Sequence, residues 1–165
     1  MDLSDITHPS LLGIYLNDHL AGSTAGMSMI ERTAAAHRGT TAGPPLAELA
    51  TEIAADRVAL LEMMSALGIG IQRYKLAGAW VGERAARLKF NGHLLGRSPL
   101  SSVVELEGMM LGVEGKAAGW RSLRTLADDD PRLDAARLDE LIARAEAQAR
   151  ILEELRVAAV AEAFA

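Results

Sequence analysis

The chain has no cysteine in its 165 residues. Disulfides, zinc–thiolate sites, iron–sulfur clusters and cysteine nucleophiles are therefore excluded. Aromatic residues are scarce, with two Phe, two Tyr and two Trp. Alanine and leucine must fill the core instead, which points to an all-α protein. There is no basic block, and the net charge is -5, so nucleic acid is not an expected partner. No run of about 18 uncharged apolar residues is present, so no membrane span is expected. The start carries Asp2 and Asp5 rather than a basic stretch followed by an apolar one. No signal peptide is read there, and a cytoplasmic protein is expected. Phosphate-binding G-x-x-x-x-G-K-[ST] is missing, and no serine has a base beside it in a recognised motif.

What remains is helix. Pro9 suits the first turn of a helix over 9–37, with Gly39 past its end. A second helix starts at Pro44 and Pro45 and stops before Gly68. A shorter third covers 72–89. Ser98 caps a fourth, with Pro99 at its first position and an end near Ala127. Asp130 before Pro131 reads as the cap of a fifth, over 132–164. Arginine outnumbers lysine 14 to 3, a composition that suggests a GC-rich bacterial source. One domain over 1–165 is expected. Four long helices and a short one fit a ferritin-like bundle whose crossover contains the short helix. A simple five-helix up-and-down bundle fits the same pattern.

Within the fourth helix stand Gly108, Gly112, Gly115 and Gly119. Their spacing puts all four on one face. Glycine inside a helix costs roughly 1 kcal/mol against alanine, so the set costs roughly 4 kcal/mol. The first helix has a matching pair, Gly22 and Gly26, and the third has Gly78 and Gly82. Small residues four apart let helix backbones approach closely. The expectation is close packing within the chain, with a homodimer seam or a ligand against the glycines as alternatives. Val103, Leu106, Met110, Val113, Ala117 and Trp120 form one apolar face of the fourth helix. Val104, Leu111 and Ala118 lie beside the glycines on the other. Met109 falls nearer a flank. An element apolar on two sides is expected to be central.

Four polar residues stand on or beside apolar stripes. His19 borders the stripe of the first helix, which also holds Ser23; Asp56 sits on that of the second; Gln148 breaks the heptad run of the last. Aligned by their midpoints, they share one middle layer. Such a layer is either a hydrogen-bonded set that fixes helix register or a metal or cofactor site. A carboxylate-bridged di-iron site needs Glu-x-x-His on two helices, and this chain has none. No cofactor is expected, with iron or manganese near His19 and Asp56 as the alternative. Asp128, Asp129 and Asp130 read as helix-start residues rather than a cation site.

Two stretches carry a resemblance. One is Tyr15-Leu16-Asn17-Asp18-His19-Leu20-Ala21-Gly22. The other runs from Ser98-Pro99-Leu100 through Glu105-Leu106-Glu107-Gly108 and Leu111-Gly112-Val113-Glu114-Gly115-Lys116 to Trp120-Arg121. They resemble a group of uncharacterised actinobacterial proteins that look ferritin-like. The resemblance implies a ferritin-like fold and brings no activity with it. The function expected is a non-enzymatic structural or interaction protein, homodimeric. A metal-binding or redox bundle is the alternative, and a small-molecule carrier the third reading.

Overall fold

A computed structural model describes residues 10–72 and 98–165. They form four helices: α1 (Leu11–Ala36), α2 (Gly43–Ala66), α3 (Pro99–Ala127) and α4 (Ala135–Ala163). The short helix expected over 72–89, with Gly78 and Gly82, lies outside the described residues apart from Gln72. No described helix is long and apolar enough to cross a membrane.

Local chemistry sets the ends. The Ser10 hydroxyl accepts from the Gly13 N–H at 3.0 Å and opens α1. Ser98 accepts from Leu100 N–H at 3.3 Å and opens α3. Gly68, at φ 71°, ends α2. There Ile69 N–H donates to the Met64 carbonyl at 2.8 Å and Gly68 N–H to that of Ser65 at 3.0 Å, closing the last turn. Gly43 starts α2 against the preceding loop. A Cβ there would stand 2.7 Å from the His37 carbonyl oxygen, so only glycine fits.

The start of α4 departs from expectation. Asp130 does not cap it. Its carboxylate accepts from Arg132 N–H at 3.0 Å and pairs with the Arg132 guanidinium at 2.6 Å. Leu133 N–H closes a turn onto the Asp130 carbonyl at 3.0 Å. Asp134 is left as the cap, accepting from Arg137 N–H at 3.1 Å.

Cross-helix contacts give the topology. Tyr15 meets Ser122 and His37 meets Ser102, so α1 and α3 are antiparallel. Asp56 meets Arg144 and Glu52 meets Gln148, so α2 and α4 are antiparallel as well. The short loops make α1–α2 and α3–α4 antiparallel hairpins. Each helix thus packs on two antiparallel neighbours, and the diagonal pairs, α1 with α4 and α2 with α3, run parallel. Gln72 sits at the α1 start, donating its N–H to Asn17 Oδ1 at 2.7 Å. Ser98 opens α3 at the other end. The two described residues that flank 73–97 therefore lie at opposite ends of the bundle.

The core is leucine-rich, with Leu16, Leu20, Leu49, Leu123, Leu138, Leu141 and Leu152 all buried. The expected apolar face of α3 is buried too, with one exchange. Met109 rather than Met110 points fully inward. The second face of α3 is open among the described residues: Leu111 is 76% and Val104 45% exposed.

Candidate functional site

Asp56 is 2% exposed and Gln148 is 0% exposed, at mid-height on α2 and α4. A buried carboxylate must find donors. Lys116 Nζ from α3 donates to Asp56 Oδ2 and to Gln148 Oε1. Arg144 from α4 donates to Asp56 Oδ1, through Nε at 2.8 Å and through a terminal nitrogen. Gln148 Nε2 donates to Glu52 Oε2 at 2.8 Å and to Asp56 Oδ2 at 3.2 Å. Two carboxylates thus face two cations, and the layer is neutral. Burial pushes the Lys116 ammonium below its ordinary value, and the Asp56 charge opposes that push.

Two of the four residues expected in this layer, Asp56 and Gln148, are therefore in direct contact. The other two stand nearby and do not join it. Ser23 donates to its own Leu20 carbonyl at 2.7 Å. His19 packs edge-on against Tyr15, with ring centroids 4.5 Å apart. Burial lowers its pKa, with Asp18 acting the other way, so the imidazole is neutral at neutral pH. Lys116 and Arg144 are the members that periodicity missed. Both reach inward from the flanks of their helices on long apolar stems. The missed signal was chemical. A carboxylate on a core stripe needs a cation at its own height, and mid-helix α3 and α4 offer Lys116 and Arg144.

Above the layer lies a cavity of about 470 Å³ between α1, α2 and α3. Its walls include Gly22 and Gly26 of α1 and Gly108, Gly112, Gly115 and Gly119 of α3. The glycines were expected to admit a second backbone. Among the described residues none approaches them. A Cβ on Gly119 would stand 3.1 Å from the His19 ring, and one on Gly108 would stand 3.4 Å from Met29 Sδ. A Cβ on Gly22, Gly26, Gly112 or Gly115 would meet no described atom within 4 Å beyond its own helix turn. Among the described residues, the bare faces of the two helices leave space where side chains would otherwise meet.

No family model, curated protein or solved structure matches the chain. What the site does must be argued from its own residues. Its walls are mainly apolar, with Leu16, Ile53, Leu60, Met109, Val113 and Leu123 among them. Its polar members are few: His19, Ser23, Asp56, Arg57, Lys116 and the exposed Asp18. Trp120 also lines it, only 3% exposed, and its indole N–H has no hydrogen-bond acceptor among the described residues. An apolar cavity with a few converging polar groups is the usual form of a small-molecule site.

Proposed function

We propose that this chain is a non-enzymatic, ferritin-like helical bundle that holds an apolar small molecule in the glycine-walled cavity. The observation that carries the reading is the cavity itself. Its volume, about 470 Å³, falls within the range of roughly 300–1,000 Å³ that ligand pockets occupy. The neighbour pattern, with α1 packed on α3 and α2 on α4 and no contact of α1 with α4, supports a ferritin-like arrangement over a simple up-and-down one, in which the first and last helices are neighbours. A metal at Asp56 is the weaker reading. Both oxygens of that carboxylate already accept from Lys116, Arg144 and Gln148, and a metal would have to displace them.

The test is to fill the cavity. Gly112→Leu and Gly115→Leu put side chains into open space, and each replaces a glycine by a better helix former. Titration with the neutral apolar dye Nile red is expected to saturate at one site in the wild type. The double variant should lose that binding while keeping a wild-type or higher unfolding midpoint. Non-saturable binding, or unchanged binding in the variant, overturns the reading.

Exposed Leu111 and Val104, beside the same glycine face, favour a homodimer as a second reading. A partner chain would then cover that face. Light scattering that returns a monomer mass at micromolar concentration would remove it.

A further inference from the structure

The charged groups around the cavity are unequally served. Lys116 and Arg144 are answered by Asp56, and Gln148 joins Glu52 to the set. Arg57, the next residue along α2, lines the same cavity and is half-buried. No carboxylate pairs with it among the described residues. It stands at the cavity's middle, because the lining residues run from Ile53 to Leu60 on α2, from Tyr15 to Met29 on α1 and from Gly108 to Leu123 on α3. On α1 that stretch is about 21 Å long, at 1.5 Å per residue. The cavity is therefore elongated and apolar, and midway along it stands a half-buried guanidinium that no described carboxylate pairs with.

Two more donors lack an acceptor nearby. Trp120 N–H is buried and has no acceptor among the described residues. Lys116 Nζ carries three N–H groups and gives two of them to Asp56 and Gln148. The carboxylate that does line the cavity from outside, Asp18, is exposed on α1 beside the neutral His19 ring. Among the described residues, the groups in want of a partner around this cavity are therefore donors, and two of them, Arg57 and Lys116, are cationic.

We propose, resting on the cavity reading above, that the molecule held there is an apolar monocarboxylic acid whose carboxylate pairs with Arg57. A guanidinium offers a carboxylate two parallel N–H groups. A neutral ligand would cover Arg57 and leave its charge unanswered, which is costly. An amine would add a like charge beside Arg57 and Lys116. The chemistry therefore selects acid over alcohol and alcohol over amine.

Calorimetric titration of the full chain with octanoate and with 1-octanol tests this. Octanoate should bind at least about tenfold tighter, the lower end of what a hydrogen bond to a charged group contributes. Arg57→Gln should bring the two affinities together, and Arg57→Lys should keep part of the preference. Equal binding of acid and alcohol by the wild type overturns the inference and leaves the cavity reading standing. So does a preference that survives Arg57→Gln. If neither compound binds while Nile red does, only the acid class fails; if none of the three binds, both readings fall. The acid-to-alcohol ratio in the wild type does not depend on how well any variant folds.

Discussion

Along α4, helix α3 is in contact from Arg124–Asp139, at 3.0 Å, to Glu107–Arg156, at 3.9 Å. Along α1, the same helix touches at its ends and stands off in the middle. There Thr33 donates to Glu105 at 3.1 Å near one end and Tyr15 meets Ser122 at 3.1 Å near the other, with the cavity between. The two flanks differ mainly in Cβ atoms. Toward α4 the helix brings leucine, valine and alanine to a leucine-lined core. Toward α1 it brings glycine to glycine. Surface ion pairs such as Arg121–Glu146 contribute little individually, so burial and not charge separates the flanks. One helix thus serves as a wall of the core and as a wall of a void, depending only on which residues carry side chains.

Truncation should expose that difference. Leu141→Ala, at a core position that is 1% exposed on α4, is expected to cost about 3 kcal/mol. Urea unfolding midpoints measure it. Asp56→Ala leaves Lys116 and Arg144 facing each other without their shared carboxylate. A loss of about 2 kcal/mol is expected, below the usual cost of an orphaned buried charge because both cations keep some exposure. Met29→Ala removes a half-buried side chain that already faces the cavity, and about 1 kcal/mol should be lost. If Met29→Ala costs as much as Leu141→Ala, the α1 flank is not open and the contrast fails.

The smallest effect lies at the loop between α3 and α4. Hydrogen bonds from the Arg132 side chain and then its backbone hold the Asp130 carboxyl down from its ordinary 3.8 to about 2. A carboxyl lowered on folding contributes stability that is complete above its unfolded value and lost as pH falls through its folded one. The thermal-midpoint gap between wild type and Asp130→Asn should therefore be full above about pH 4 and close toward pH 2. A gap that persists at pH 2 would assign the Asp130 contribution to something other than its charge.

Much of this architecture could be read from the residues. Ser98-Pro99 and Gly68 announce helix ends through capping and left-handed backbone, and α3 and α2 begin or end there. Asp130 misled because Asp134 is an equally good cap, and Asp130 is committed to Arg132 instead. Met109 and Met110 are adjacent, and periodicity could not resolve which faces inward. Asp56 and Gln148 were legible as polar breaks in apolar stripes. Lys116 and Arg144 were not, because a long side chain reaches a layer that its Cα only borders. The cavity was the hardest to see. A row of glycines has the same spacing whether a backbone fills the groove or nothing does, and only coordinates tell the two apart.

The connections between helices have a consequence for chain entropy. Residues 37–42 join α1 to α2, and 128–134 join α3 to α4. Joining the two hairpins requires the span 67–98, about five times longer. Bringing together parts of a chain separated by a longer span costs more chain entropy, so that union is dearer than either hairpin. Among the described residues, the contacts that repay it are those between α1 and α3 and between α2 and α4, with Lys116 of α3 also reaching Asp56 of α2. The first of these pairs is the one interrupted by glycine, and the second is held at mid-height by Asp56, Arg144, Glu52 and Gln148. The ion layer therefore bears more of the joining of the two hairpins than its few bonds suggest, and it does so directly beneath the void.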